Sequence, residues 1–422
     1  MLQVLLSGVN VLFLNFYKQF INLSKKFFKL LLKKLLAIPF FVVSGVIFFS
    51  VDDLYFGWLR SSRIGHFTAD IDCALSELAR NNQTGRKQRI ILIMDSYICN
   101  TFVMELISRI AIPDIRLILK RGRLWLLYLE YLKNSHLFGY LFMQTVGLSS
   151  RYESILKAPP LFKVEKVERD LIYEWLEERY KLNLNNPFIF LHNRDSVYLS
   201  NLTYHSPRDF SPEIFIPVID KFQVQYNFFR GGVLAKDPLP QRLNCVDLPF
   251  INHSDKLNVL TQEISLFYFG SDSGIHSLST VFRKPVGIIN FAPASYDFIR
   301  RANHLTLGFI PKLMINKKTN EPVGLIEMYE NNWINLWSAE QFYEANLEVR
   351  ENSQDEVTNF FEESLRIYNS DLTKEDIATP EQEEFWKIVT HYQPDSFGKK
   401  LILDNCFISP SFLRKNSYLF TR

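Results

Sequence analysis

The sequence lacks paired cysteines. Its four, Cys73, Cys99, Cys245 and Cys406, are widely separated along 422 residues and show no ligand spacing. That argues against a disulfide frame or a zinc site and for reduced thiols in a cytosolic setting. Internal repeats and low-complexity tracts are missing too. A secretion signal is not favoured, because the apolar stretch near the front lies late and has no clear small-x-small cleavage site. The four Asn-x-Ser/Thr sequons, at Asn22, Asn82, Asn201 and Asn252, therefore carry little meaning. Acids are wholly absent from residues 1–50, which hold six lysines, so the chain's net +3 leaves −3 for residues 51–422.

What is present is a globular balance, 47% apolar and 22% charged, in a chain long enough for two or three domains. Aromatics reach 15%, chiefly 37 Phe, and no site is read from them. At the front, Lys18, Lys25, Lys26, Lys29 and Lys33 fall within an arc of about 100° if Leu14 to Leu36 is helical. Such a helix is basic and amphipathic. Leu35 to Val51 follow, seventeen residues without charge but broken by Pro39 and Gly45, at the short edge of what can span a bilayer. The expectation is a membrane-associating segment over residues 1–54, peripheral or monotopic, with its lysines on anionic headgroups at the cytoplasmic face of the inner or plasma membrane. The alternative is a soluble helix packed on the body.

From Tyr55 onward, apolar strand-like runs alternate with helical stretches, as in a parallel sheet covered by helices. Strands are expected at Arg89–Met94 and Ile115–Lys120, and helices at Thr101–Ile112 and Arg123–Lys133. The irregular, Pro-Pro-containing stretch Arg151 to Phe162 reads as a boundary. Beyond it the pattern predicts helices at Val167–Leu182, Ser211–Phe222 and Asp255–Glu263, with strands at Pro187–His192, Gln223–Phe229 and Val286–Asn290. Past Thr306 it weakens, although Asp355–Tyr368 and Pro380–His391 read as helices. The expected domains are 55–160 and 161–370, two Rossmann-like units facing a cleft, with a helical tail at 371–422.

Residues 268–285, Tyr-Phe-Gly-Ser-Asp-Ser-Gly-Ile-His-Ser-Leu-Ser-Thr-Val-Phe-Arg-Lys-Pro, are the most informative stretch. An apolar strand meets a turn of small and polar residues, Gly270 to Gly274, and a helix is expected to run on to Phe282. At such a junction amides and the helix dipole converge on one spot, which suits the diphosphate of a nucleotide-linked substrate. This makes Ser271, Asp272, Ser273, Gly274 and His276 candidate binding residues. The plain alternative is a strand-to-helix turn with Ser273 as cap.

Three other segments carry candidate chemistry. In Phe190-Leu-His-Asn-Arg-Asp-Ser196, Arg194 can present a planar fork to phosphate, and Asp195 can hold that fork or bind a sugar hydroxyl; a surface ion pair is the alternative. In Phe228-Phe-Arg-Gly-Gly-Val233, Arg230 or the backbone at Gly231 and Gly232 can meet a nucleotide, or form a simple turn. In Ser62-Arg-Ile-Gly-His-Phe-Thr-Ala-Asp-Ile-Asp72, His66 and Asp70 start a helix capped by Thr68. Either one can act as general base toward an acceptor hydroxyl, while acids in a first helical turn are also what the dipole favours. Asp70-Ile-Asp72 matches an Asp-x-Asp metal pattern only if it lies on a loop, because carboxylates two apart on a helix point about 200° apart.

Together, Arg63-Ile-Gly-His66, His192-Asn-Arg-Asp-Ser196, Arg230-Gly-Gly232, Gly270-Ser-Asp-Ser-Gly274 and Phe282-Arg-Lys-Pro285 resemble a family of bacterial glycosyltransferases. Lys312 in Ile310-Pro-Lys-Leu313 and Asn352-Ser353 also fit, and the likeness spans roughly Tyr55 to Tyr368. Asp-Ser-Gly-Ile-His is similar to a nucleotide-side motif of lipopolysaccharide heptosyltransferases. His-x-Arg-Asp is similar to the His-x-Arg motif of fucosyltransferases, with Asn193 standing where those proteins more often carry a small apolar residue. The resemblance implies a GT-B-like fold and transfer of a sugar from a nucleotide-sugar to a glycan or lipid-linked acceptor in surface polysaccharide synthesis. No metal and no cofactor are implied beyond that donor, and no nucleic-acid partner. It further implies that Arg194 and the Ser273/Gly274 helix start neutralise the leaving diphosphate, with Lys312 among the binding residues. A non-catalytic nucleotide- or glycan-binding protein of the same fold is the competing reading, and a metal-dependent GT-A enzyme a third.

Overall fold

The computed structural model describes residues 53–81, 87–122, 125, 139–141, 156–197, 203–251, 254–292, 305–372, 374–392 and 407–420. The basic amphipathic helix expected near the N-terminus, the apolar run to Val51 and nearly all of the helix expected at Arg123–Lys133 lie outside the described residues. Among those described, no helix is long and apolar enough to cross a membrane.

The fold is mixed α/β and divides into two compact units that interleave along the chain. Described residues within 1–58, 82–96 and 112–142 form one, and those within 59–81, 97–111 and 143–422 form the other. The first unit holds β1 (Asp53–Leu59), β2 (Gln88–Met94), β3 (Ile115–Arg121) and β4 (Gly139–Leu141) in the order β3-β2-β1-β4, with every pair parallel where registered. The run Ile90 to Met94 is buried along its whole length, as a parallel strand covered on both faces must be.

In the second unit, a π-helical turn (His66–Asp70) leads into α1 (Ile71–Asn81), and α2 (Thr101–Ser108) and α3 (Lys166–Tyr180) follow. The expected helix to Ile112 stops at Ser108. Pro113 disfavours a helical residue before it, and Ile112 instead bridges Ile115. Next come β5 (Phe188–His192), α4 (Ile216–Phe222), β6 (Asn227–Arg230), β7 (Cys245–Asp247), α5 (Asp255–Ile264), β8 (Ser265–Ser271), α6 (His276–Val281), β9 (Val286–Phe291) and β10 (Thr306–Pro311). The helix expected from Ser211 begins as a 3-10 turn, Pro212–Phe215, before α4.

These six strands form one parallel sheet in the order β10-β9-β8-β5-β6-β7. Counted from the first strand of the unit, that is the doubly wound order 3-2-1-4-5-6, whose direction reverses between the first and fourth strands. The reversal falls between β5 and β8, and it is where a ligand crevice forms in such sheets. Phenylalanine builds the core on this sheet. Phe188 and Phe229 stack with centroids 4.9 Å apart, and Phe361 meets Phe222, Phe228, Phe267 and Phe269. Burying each such ring is worth about 1.5–3 kcal/mol, so the Phe-rich composition is spent on packing.

The weak pattern past Thr306 hides real strands. Beyond β10 lie β11 (Leu313–Asn316), β12 (Glu321–Pro322), α7 (Leu325–Glu330), α8 (Ala339–Glu344), β13 (Leu347–Arg350), α9 (Gln354–Tyr368), α10 (Pro380–Tyr392) and α11 (Pro410–Lys415). A small antiparallel sheet runs β12-β11-β13. The tail returns to the main sheet: Phe309 N donates to Phe407 O at 3.1 Å and Ser409 N to Phe309 O at 3.2 Å, which satisfies part of the β10 edge.

Candidate functional site at the strand reversal

The site is built where β5 and β8 end side by side. Gly270 is required there: a Cβ at this position would lie 2.1 Å from the His192 carbonyl oxygen. His192 closes β5, and its buried ring collects the polar groups of the β8 end. Nδ1 lies 2.9 Å from Ser271 Oγ, 3.2 Å from Tyr268 Oη and 3.2 Å from Ser273 Oγ. Tyr268 donates its own proton to the Ser271 carbonyl at 2.7 Å, so its oxygen is left to accept, and the proton on the ring is assigned to Nδ1 on that ground. Burial, reinforced by Arg230, His276 and Arg194, pulls the imidazole down to about 3. His192 is thus a neutral hub that orients two serine hydroxyls. Ser273, the expected cap, points at this ring, and the α6 N-cap, Ile275, has no side-chain cap bond. Because α6 spans six residues, its dipole is short, and side chains carry more of the site than the sequence pattern implied.

His276 Nδ1 donates to the Ser273 carbonyl at 2.5 Å and lies 3.8 Å from Asp272 Oδ1. Arg208, a residue the sequence reading missed, closes a 3-10 turn (Thr203–Arg208) and donates from Nη1 to the Asp272 carbonyl at 3.0 Å.

The expected charged residues at the other strand ends are placed as follows. Arg194 pairs through Nη1 with Asp209, and its side chain is 11% exposed. Asp195 does not supply that carboxylate; it accepts from Val197 N at 3.0 Å and Lys236 N at 2.9 Å, tying two loops together. Lys312, just past β10, donates from Nζ to the Asp209 carbonyl at 2.5 Å and lies 4.0 Å from Glu351. Burial lowers the Lys312 ammonium and raises the Asp209 carboxyl, the latter against the pull of Arg194. Arg230 is 1% exposed. It donates to Asn193 Oδ1 at 2.9 Å, the Asp237 carbonyl at 2.8 Å and Asp247 at 3.2 Å, so it braces β5, β6 and β7 from inside. Gly232, at φ +140°, is clamped by Asn258 of α5 through N–H···Oδ1 and Nδ2–H···O bonds of 3.0 and 3.1 Å.

The segment before α1 belongs to the same unit and reaches the β8–α6 turn. A Cβ on Gly65 would come 2.9 Å from Gly274 Cα, and one on Gly274 would come 3.1 Å from Gly65 N. Only two glycines allow this approach. The next residue, His66, is 27% exposed, and its Nδ1 lies 3.0 Å from Oδ2 of Asp70, which is 2% exposed. A carboxylate only accepts, so Nδ1 is the donor in this contact, and in the neutral tautomer that this selects Nε2 is the acceptor nitrogen. Thr68 is not a cap; it donates to the Ile64 carbonyl at 2.8 Å and its Oγ1 lies 2.8 Å from Ser277 Oγ of α6. Asp72 turns the other way, to Arg283, at 2.8 and 3.3 Å, and burial raises its carboxyl against the pull of Arg283. Arg283 also donates from Nε to the Ala158 carbonyl at 2.9 Å. The two carboxylates of Asp70-Ile-Asp72 therefore serve different partners, and the described residues hold no cluster of three His, Cys, Asp or Glu side chains fit for a metal.

No protein-family model matches the chain, and no curated protein does. Among solved structures, it is similar to a glycosyl transferase family 9 protein from Veillonella parvula, at 12% identity over 57% of this chain and 81% of that one, with a TM-score of 0.37. It is similar also to ADP-heptose LPS heptosyltransferase II of E. coli, at 13% identity over 61% and 90%, TM-score 0.38. The wall teichoic acid polymerase TagF gives 12% identity over 75% and 87%, TM-score 0.27. Two of these are named as transferases and the third as a polymerase, but likeness at this level leaves function to the geometry of the site itself.

Proposed function

We propose that the chain is a glycosyltransferase that moves a sugar from a nucleotide-sugar to a glycan or lipid-linked acceptor without a metal. The observation that carries this reading is the His66–Asp70 pair, held one residue from the Gly65–Gly274 contact. A carboxylate-backed imidazole beside a serine- and glycine-rich turn at the reversal of a doubly wound sheet supplies a base next to a phosphate seat.

In the proposed reaction the nucleoside diphosphate lies on Ser271–Gly274, with the Ser271 and Ser273 hydroxyls set by His192. His66 Nε2 takes the proton of the acceptor hydroxyl. The acceptor oxygen forms its bond to the anomeric carbon, and the bond from that carbon to the phosphate oxygen breaks, its electron pair leaving with the diphosphate. Asp70 steadies the imidazolium that forms, as a buried carboxylate does for a catalytic histidine. Fixed donors aimed at the leaving oxygens lower the barrier with no reorganisation. The basic, apolar N-terminal sequence supports an acceptor at the cytoplasmic membrane face and a role in surface polysaccharide synthesis.

A panel of nucleotide-sugars, with and without EDTA, tests this reading. Chelator-resistant release of a nucleoside diphosphate supports it, whereas thermal stabilisation by a nucleotide without turnover of any donor favours a binding protein.

A further inference from the structure

We propose that Arg63 binds an anionic group on the acceptor, so that the acceptor is a glycan or lipid-linked glycan with a phosphate or carboxylate beside its reacting hydroxyl; this rests on the transferase reading above. Helical backbone runs without a break from Ile64 through the π-helical turn to Asn81, and the Arg63 carbonyl accepts from Phe67 N at 2.8 Å. Arg63 is therefore the N-cap of this helix. A guanidinium only donates, so it cannot satisfy the amides that Ser, Thr, Asp or Asn satisfy at an N-cap, and its charge sits at the positive end of the helix dipole. A residue that breaks its local rule without a compensating contact in the fold marks a functional position.

No such contact is present. Arg63 is exposed, and among the described residues no acceptor engages its guanidinium. The nearby acid of the same helix, Asp70, faces His66 instead. Side chains at the N-cap and at N3 are neighbours, as in a capping box, and here those positions are Arg63 and His66. One helix start therefore offers a base and an unpaired cation together. An acceptor hydroxyl at His66 Nε2 brings a phosphate or carboxylate on a neighbouring carbon to the Arg63 fork, whose planar donors match two oxygens of either group. Holding that group orients the hydroxyl for attack, and its negative charge favours the imidazolium that forms.

The test is nucleoside diphosphate release by the full chain from the nucleotide-sugar that most stabilises it, with methyl glucoside, glucose 6-phosphate or methyl glucuronide as acceptor. The neutral glycoside is the reference, and the other two separate phosphate from carboxylate. Wild type should favour one anionic acceptor at least about tenfold in kcat/KM, mainly through KM, and Arg63→Gln should lower that ratio at least about tenfold, with Arg63→Lys recovering part of it. Arg63→Asp should lose the preference entirely while its ligand-free Tm rises, because aspartate supplies the missing cap. If neither anionic acceptor outdoes the neutral one with wild type, if Arg63→Gln keeps the preference, or if Arg63→Asp lowers the Tm, this inference falls and the transferase reading stands. If wild type releases nucleoside diphosphate from no nucleotide-sugar, both fall.

Discussion

Replacing Asp70 with Asn tests the base most cleanly, because it changes charge and hydrogen count and almost nothing else. Asp70 is 2% exposed, and its Oδ2 lies 3.0 Å from His66 Nδ1. The carboxamide has the same shape, so no cavity opens. As the acceptor proton moves to Nε2, the imidazolium loses a charged hydrogen-bond partner worth about 1.5–3 kcal/mol, or roughly 10- to 150-fold in rate. A second loss adds to it, because the amide NH2 can turn to Nδ1 and fix the ring with its proton on Nε2, where no base remains. The transfer kcat should therefore fall by at least about 100-fold. Nucleotide affinity should hold, since the diphosphate seat lies on Ser271–Gly274. Steady-state transfer kinetics beside nucleotide thermal shifts measure both. A kcat within about twofold of wild type would refute a carboxylate-backed base at His66.

Two further predictions concern the supports of the site. His192 is held near 3 by burial, against about 6.5 in the unfolded chain, so the unfolded state binds the extra proton below about pH 6.5. Stability should be full above that value and fall by about 2 kcal/mol between pH 7 and pH 5 on this account alone; urea unfolding should show His192→Asn with a shallower decline than wild type over the same range. Asp72→Ala leaves Arg283 without its ion partner in a buried pair, and should cost about 3–5 kcal/mol, read as a lowered Tm; a variant as stable as wild type would show that the pair does not anchor α1.

Much of this architecture is legible in the sequence because parallel strands are short continuous apolar runs. Phe188–His192, Ser265–Ser271 and Val286–Phe291 are such runs; the first and last were expected within two residues of their observed ends, and the second as the apolar strand that meets the turn at Gly270. The run from Thr306 to Asn316 hid two strands, since Pro311 and Lys312 interrupt a stretch that otherwise reads as one. In the site, His66 and Asp70 were readable as alternatives. Their spacing of four is the signal that they face each other on a helical turn. Partners distant in sequence were not readable: nothing local says that Arg194 will meet Asp209, that Arg230 will turn inward to Asp247, or that Arg208 will reach the Asp272 carbonyl. Those pairings are set by where loops land on the sheet ends. His192 as a hub was hidden for the same reason, since its partners come from β8, next to it in space and over seventy residues on in sequence.

The most direct measurement is the rate of nucleoside diphosphate release from the nucleotide-sugar that most stabilises the full chain, in detergent-solubilised membrane lipid, for wild type beside His66→Ala. Wild type should turn the donor over, and His66→Ala should bind it equally well while releasing product at least about 100-fold more slowly. Turnover of no nucleotide-sugar by wild type, or release by His66→Ala at the wild-type rate, would contradict the account.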